Sequence, residues 1–284
     1  MKSLLLFALA FVSACGRTSA EKTVDARVVD VLALDYAFET PTELPPGRTL
    51  FRFENKGKVR HEFNIFLLKK GVSIDRFLTA QRAGETIRPF IDGPLGVLFA
   101  QPGEKPASGL VSDLLPGREY GIICIFRDSA NAPPHHDLGM YSVIKVASTT
   151  APSVAVAETV DSVTATDYAF RYPRSVQPGK HVFLFRNEGK VRHEFSVSLL
   201  KKGVTLEKSL EVEKAGGDVE ALIDQELGLL HARAGEAPLA RLEIDMLPGR
   251  EYAIVCFFQD TEKSKPHYEL GMFGSITVAG EPAA

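Results

Sequence analysis

The sequence contains no tryptophan, three cysteines and no excess of basic side chains. Without tryptophan, aromatic packing depends mainly on 18 phenylalanines and 7 tyrosines. The net charge of -3 excludes a typical nucleic-acid binder, because neutralising phosphates requires a basic surface. With 45% hydrophobic and 24% charged residues, the 284-residue chain has the composition of a globular protein of one large or two ordinary domains.

A long hydrophobic run is also missing. The one extended apolar segment, Leu4–Val12, is too short to cross a bilayer. It follows Lys2 and precedes the small residue Ala14, which is the pattern of a secretory signal peptide covering residues 1–14. We therefore expect the protein to be exported.

The end of this segment suggests a membrane anchor. Residues 12–15, Val-Ser-Ala-Cys, resemble the lipobox of bacterial lipoproteins. The resemblance implies cleavage before Cys15 and acylation of this residue, so that several acyl chains hold the protein to a lipid bilayer. Gly16, in place of Asp, resembles outer-membrane sorting and predicts a position facing the periplasm, with residues 15–23 as a lipidated tether. The alternative is an ordinary signal peptide with a leftover cysteine.

The rest of the chain is two copies of one unit. "NKGKVRHEF" at Asn55 returns as "NEGKVRHEF" at Asn187, and "LPGREY" at Leu115 returns at Leu247, with the same offset. "DYAF" also occurs twice at this offset. A period this long indicates a duplicated domain. We predict one domain over residues 24–147, a linker over 148–156 and a second domain over 157–280.

Each unit has mainly β signals. Segments such as "RTLFRFENKG" alternate apolar and polar residues and end in turn residues. One short helix interrupts each unit, with N-caps at Ser73 and Thr205 and stops at Gly84 and Gly216. About seven short strands in 120 residues predict an all-β fold of two tandem β-sandwiches.

Four residue types occur in the same order in both units. The candidate ligands are His61, Cys124, His135 and Met140 in the first unit, and His193, Cys256, His267 and Met272 in the second. Two imidazoles, a thiolate and a weak axial thioether form the ligand set of an electron-transfer copper site. A disulfide between the two cysteines is disfavoured, because they hold equivalent places in separate units.

These motifs resemble the cupredoxin family over nearly all of each unit. The resemblance is carried by "N-x-G-x-x-x-H", by a cysteine that ends a strand, and by "H-x-x-x-x-M" leading into the last strand. It implies Greek-key sandwiches that bind copper through the eight residues above. One departure is the loop of ten residues between Cys124 and His135, which is longer than in simple copper cupredoxins and is expected to be less preorganised.

The function expected from this resemblance is electron transfer or copper handling, with a redox or copper-delivery protein as partner. An enzyme is disfavoured: no His-x-His pair is present for a trinuclear copper cluster, and His136, His181 and His231 have no counterparts in the other unit. The alternative is a metal-free binding module of the cell envelope, in which the cysteines and methionines are core residues.

The charged residues beside the first histidine of each unit have a simpler interpretation. Arg60 and Glu62, like Arg192 and Glu194, flank that histidine in the sequence. Side chains alternate along a strand, so these four would point to the opposite face of the sheet. We interpret them as solvated surface charges rather than as a docking site.

Overall fold

The computed structural model describes residues 20–149 and 154–280. The predicted signal peptide and the predicted lipidation site at Cys15 lie outside the described residues. Within the described residues, neither helix has the length and apolarity that crossing a membrane requires.

Among the described residues, each half contains nine strands and one α-helix. The elements of the first half are β1 (Ala20–Leu34), β2 (Ala37–Glu39), β3 (Glu43–Leu44), β4 (Gly47–Asn55), β5 (His61–Leu68), α1 (Ile74–Arg82), β6 (Ile91–Ala100), β7 (Ser108–Leu114), β8 (Glu119–Ile123) and β9 (Tyr141–Val146). Those of the second half are β10 (Val154–Thr166), β11 (Ala169–Arg171), β12 (Ser175–Val176), β13 (Gly179–Asn187), β14 (His193–Leu200), α2 (Leu206–Lys214), β15 (Ile223–Ala232), β16 (Ala240–Met246), β17 (Glu251–Val255) and β18 (Phe273–Val278).

The predicted helix boundaries are confirmed. The side chain of Ser73 accepts a hydrogen bond from the backbone N–H of Arg76, and Thr205 accepts one from Lys208 in the same way. Each hydroxyl thereby satisfies one of the free N–H groups at the start of its helix. Gly84 and Gly216 follow the helix ends with φ angles of 68° and 69°, a backbone conformation that glycine adopts without strain.

The strands form two sheets that pack face to face. One sheet has the order β11-β10-β13-β16-β7-β4-β1-β2, and the other has the order β12-β18-β17-β14-β15-β6-β5-β8-β9-β3. Alternating strand residues from both sheets, including Phe51, Phe63, Phe183 and Phe195, form one buried core. The all-β sandwich architecture predicted from the sequence is therefore present in both halves.

The two halves share both sheets, which the repeat pattern did not predict. β7 pairs with β16 around the opposed residues Leu110 and Leu242, and β6 meets β15 at Val97 and Leu229. β1 also pairs with β10, so that six strands of the first sheet close into a ring. Each central pair consists of equivalent residues of the two repeats, and the halves are thus related by an approximate twofold axis.

The strands begin earlier than the predicted domain boundaries. β1 starts at Ala20, inside the predicted tether, and β10 starts at Val154, inside the predicted linker. The early residues of each strand pair with the other strand. Composition alone indicated a tether and a linker here because the pairing partner lies more than a hundred residues away.

The interpretation of the charged residues beside the first histidine as solvated is wrong for Arg60 and Glu62, whereas Arg192 in the second half is 38% exposed. Glu62 is buried, and the Arg60 side chain is only 16% exposed. The Arg60 guanidinium lies 2.9 Å from the carboxylate of Glu226, which belongs to the other half, and it stacks over the rings of Phe99 and Phe126. The contact between the halves thus gives Arg60 a carboxylate partner in place of water.

Candidate metal centres

The first histidine of each group is the first residue of a strand that follows a tight turn. The side chain of Asn55 accepts a hydrogen bond from the N–H of Gly57 and donates to the carbonyls of Val59 and Ala100. A Cβ on Gly57 would lie 2.8 Å from Nε2 of His61, so a side chain there would displace the imidazole. The motif "N-x-G-x-x-x-H" therefore fixes the position of the histidine ring. The turn at Asn187 and Gly189 repeats this arrangement.

The cysteine directly follows β8, and its neighbours are held by backbone hydrogen bonds. The N–H of Cys124 donates to the carbonyl of Met140, and its own carbonyl accepts from His136. The N–H of His135 donates to the carbonyl of Phe126 over 2.9 Å, which closes the long loop at its base. The loop is therefore anchored beside the cysteine despite its length. Equivalent bonds surround Cys256 and His267.

Three potential ligand atoms converge in the first half. Nδ1 of His61 lies 3.1 Å from Nδ1 of His135, and Sγ of Cys124 lies 4.0 Å and 3.4 Å from these nitrogens. A triangle with these sides has its centre about 2.1 Å from each corner, within the about 2.0–2.3 Å of imidazole and thiolate bonds to a metal. The three side chains are completely buried.

The second half repeats this arrangement. Nδ1 of His193 lies 3.0 Å from Nδ1 of His267, and Sγ of Cys256 lies 3.4 Å from the latter. All three side chains are completely buried, and their ligand atoms lie within 4.8 Å of one another. Two imidazoles and a thiol in one closed space fit copper, which binds such donors in electron-transfer sites. The structure thus brings six of the eight predicted ligands together in two groups of three.

The backbone of each candidate methionine lies next to the group of three ligands in its half. Met140 is completely buried, and its N–H donates to the carbonyl of His135 over 3.0 Å. Met272 has the same bond with His267. Both side chains belong to the main core, and their role as axial ligands stays a prediction.

Residues that the sequence analysis did not single out support the second histidine. Nε2 of His135 lies 3.0 Å from the carboxylate of Asp128, and that carboxylate accepts a hydrogen bond from the hydroxyl of Tyr36. Such a carboxylate orients the ring and fixes which nitrogen carries the proton. Tyr168 and Asp260 form the corresponding pair in the second half, where Asp260 lies 3.3 Å from Nε2 of His267.

Of these supporting residues, the two tyrosines belong to the repeated "DYAF" segment, so the repeat itself was a signal for them. Its tyrosine has a φ of 62° in both halves, a strained conformation for a residue with a bulky side chain. The ring of Tyr36 packs edge-on against His135, with the centroids 4.9 Å apart. Strain at the same position twice, beside the candidate ligand, is consistent with a positioning role for the tyrosine.

The histidines that have no counterpart in the other repeat lie in separate environments. His136 is buried, and its Nδ1 lies 3.1 Å from the carbonyl of Cys124. His181 is buried beside the carboxylate of Asp161, at 2.6 Å. Neither belongs to the two groups of three. The structure therefore agrees with the choice of His135 over its neighbour as the candidate ligand.

Burial controls the protonation of the ligand groups. Burial, together with the nearby His135, lowers the pKa of His61 to about 4. Burial also raises the pKa of Cys124 to about 12 and that of Cys256 to about 11, although each sulfur accepts a backbone N–H. At neutral pH the metal-free protein thus holds a neutral His61 imidazole and protonated thiols, and metal binding must release the thiol protons.

This protonation predicts low thiol reactivity. In the metal-free folded protein at pH 8, we expect iodoacetamide to modify Cys124 and Cys256 at least about 100-fold more slowly than in urea, because only about one thiol in 1,000 to 10,000 is ionised. Mass spectrometry of peptides taken at successive times measures both rates. Equal rates in the folded and the unfolded protein would contradict the buried position of the sulfurs.

The two halves are thus β-sandwiches, each with a donor set of two histidines and one cysteine of the kind that binds copper. Among the described residues, Cys124 and Cys256 are free thiols, so no disulfide joins them. No protein-family model matches the chain, and comparison with curated proteins finds no match.

Comparison with solved structures finds copper proteins. Auracyanin B is 20% identical with a TM-score of 0.30, over 43% of this chain and 88% of that one. Auracyanin A, a "blue" copper protein from Chloroflexus aurantiacus, is 15% identical with a TM-score of 0.29, over 43% and 98%. The copper nitrite reductase from Nitrosomonas europaea is 15% identical with a TM-score of 0.24, over 90% and 94%. These values are too low to support a function, which must be argued from the site itself.

Proposed function

We propose that the chain is an exported copper protein with two type-1-like sites that transfers electrons, anchored to the outer membrane through acylated Cys15. The observation that carries the proposal is the convergence of two histidine nitrogens and one cysteine sulfur in each half, at spacings that fit one metal ion. Bound copper would supply a one-electron redox couple at each site.

The surroundings of each site favour electron transfer over copper delivery. The ligands come from a strand, from the residue after a second strand, and from a short turn that begins at the second histidine. Backbone bonds hold all three in place, and their side chains have no access to water. A rigid, dry site keeps its geometry during a change of charge, whereas copper release requires the ligands to open.

A redox protein is the expected partner, and we propose that the protein is not an enzyme. The proposal rests on the absence of His-x-His pairs from the sequence and on the enclosure of both sites. A buried site exchanges electrons through the protein but offers no room for a substrate at the metal.

Copper reconstitution tests this function. We expect the full-length protein, purified in detergent without metal, to bind two equivalents of Cu(II) and to develop intense visible absorption from thiolate-to-copper charge transfer. The Cys124→Ser/Cys256→Ser double variant should lose that absorption. The third cysteine provides the matched control: Cys15→Ser should keep the absorption while the protein leaves the membrane fraction.

The other outcomes distinguish the alternatives. Two equivalents of copper bound without the visible absorption would indicate copper handling. A folded protein that binds no copper would indicate the metal-free envelope module and would refute the proposal. Retention of Cys15→Ser in the membrane fraction would refute the lipid anchor without affecting the copper result.

A further inference from the structure

The approximate twofold axis creates two equivalent cavities between the halves, and their charges differ. The first, of about 450 Å³, lies between residues 86–94 of the first half and residues around Arg192 and Arg233 of the second. The second, of about 250 Å³, lies between Gln101 and Glu104 of the first half and residues 220–226 of the second. These linings occupy equivalent positions in the two repeats. Differences between them therefore report substitutions rather than a different architecture.

Beside the smaller cavity, an arginine of the first half pairs with a carboxylate that lines the cavity from the other half. The guanidinium of Arg60 lies 2.9 Å from Glu226 and 3.4 Å from Glu220. The Arg60 side chain is only 16% exposed. A guanidinium removed from water in this way requires an anionic partner, and the protein supplies one.

In the larger cavity, the equivalent arginine, whose side chain is 38% exposed, lacks this partner from the other half. Arg192 occupies the place of Arg60, but Pro94 stands where Glu226 would be, and Arg88 stands where Glu220 would be. The carboxylate of Glu194, two residues along the same strand, lies 3.4 Å from Arg192. The cavity is larger on the side where the glutamate is missing.

The lining of the larger cavity carries three arginines, Arg88, Arg192 and Arg233, against two carboxylates, so its charge balance is positive. Arg88 and Arg233 are exposed, and His231 beside them is neutral, because burial and then Arg192 and Arg233 lower its pKa to about 3. Of the two carboxylates in the lining, Asp92 pairs with Arg118, which lies outside it, and Glu236 is exposed.

We propose that the larger cavity binds a small organic carboxylate, whose charged group pairs with Arg192 as Glu226 pairs with Arg60 in the other half. Arginine recognises carboxylates through two parallel N–H donors. The apolar part of the ligand would pack against Pro94, Ile91 and Leu239, which also line the cavity. The volume is in the range of small-molecule sites.

Butyrate is a suitable probe, with a charged group and a short apolar body. We expect the metal-free full-length protein in detergent at low salt to bind one equivalent of butyrate, measured by isothermal titration calorimetry and by saturation-transfer NMR.

Arg192→Gln should weaken butyrate binding about tenfold or more, the usual effect of removing a hydrogen-bonded charge. Pro94→Glu should abolish binding, because the new glutamate would pair with Arg192 as Glu226 pairs with Arg60 in the other half. Arg186→Gln, whose parent side chain is 65% exposed, should leave the affinity unchanged.

These variants keep the proposal falsifiable. Circular dichroism and thermal melting establish which variants fold. The Pro94→Glu substitution leaves all candidate metal ligands unchanged. Absence of butyrate binding to the parent protein at 10 mM would overturn the proposal. Unchanged affinity in folded Pro94→Glu or folded Arg192→Gln would also overturn it. Since no metal is present, each result is independent of the copper experiment.

Discussion

Replacing Gly228 with alanine is expected to lower the free energy of unfolding by about 3–5 kcal/mol, the combined cost of a strained backbone and a steric clash. Gly228 has a φ of 155°, and a Cβ there would lie 2.8 Å from a methyl group of Leu242 and 2.9 Å from the carbonyl of Val97. Val97 belongs to the other half. The backbone carbonyl cannot rotate away as a side chain can, so the clash would separate β15 from β6.

Two other glycines provide matched controls for this prediction. Gly96 is the equivalent residue of the first half and meets a similar clash, 2.8 Å from Leu110, without a positive φ; Gly179 has a φ of 121° and open space around it. Gly96→Ala should therefore report the clash alone and Gly179→Ala the backbone alone, each at about 1–3 kcal/mol. Urea denaturation followed by circular dichroism measures all three.

The same experiment tests whether the halves unfold together. Because the ring of six strands includes both halves, we expect one cooperative transition that Gly228→Ala moves as a whole. Two separate transitions, with only one of them shifted, would show that the halves are independent domains. A Gly228→Ala effect no larger than that of Gly179→Ala would show that the contact between β6 and β15 is loose.

Replacing His135 with alanine is expected to abolish copper binding in the first half and to leave one equivalent per chain. Removing a residue that merely supports a metal ligand commonly lowers affinity about 10- to 100-fold, so removing a ligand should have a larger effect. His267→Ala should remove the other equivalent in the same way. Titration with Cu(II), followed by visible absorption, measures the remaining sites.

The neighbouring histidine is the control for this prediction. His136 is also buried and lies one residue away, but its ring nitrogen faces the carbonyl of Cys124 instead of the thiol. His136→Ala should retain two equivalents of copper. If it removed one equivalent and His135→Ala did not, the assignment of ligands would be wrong.

Local patterns predicted much of this site. The alternation of apolar residues and the turn at Asn55 and Gly57 place His61 at the start of a strand, and Cys124 follows the end of another. Both positions depend on residues close in sequence, as do the helix caps at Ser73 and Thr205. The convergence of the nitrogen and sulfur atoms was predicted from the resemblance to the cupredoxin family, not from the spacing of the residues alone.

The contact between the halves could not be predicted in this way. The pairing of Leu110 with Leu242 joins residues more than a hundred positions apart, and an isolated apolar strand looks the same whether its edge is free or paired. The surroundings of Arg60 were misjudged for this reason, because the partner Glu226 lies in the other repeat. Asp128 was missed because a carboxylate in a loop has no pattern that distinguishes it from a solvated one.

The symmetric strand registers between the halves are also compatible with a dimer of single repeats. Two identical single-repeat chains would satisfy the pairings at Leu110 and Val97 as a closed symmetric dimer, since each pairing joins equivalent positions. In one chain that carries both repeats, the two copies need not be identical. In a homodimer any substitution appears twice, whereas here Glu226 of one half and Pro94 of the other occupy equivalent positions with different chemistry. A single chain can thus carry two similar candidate metal sites and, between its halves, two cavities at equivalent positions whose charges differ.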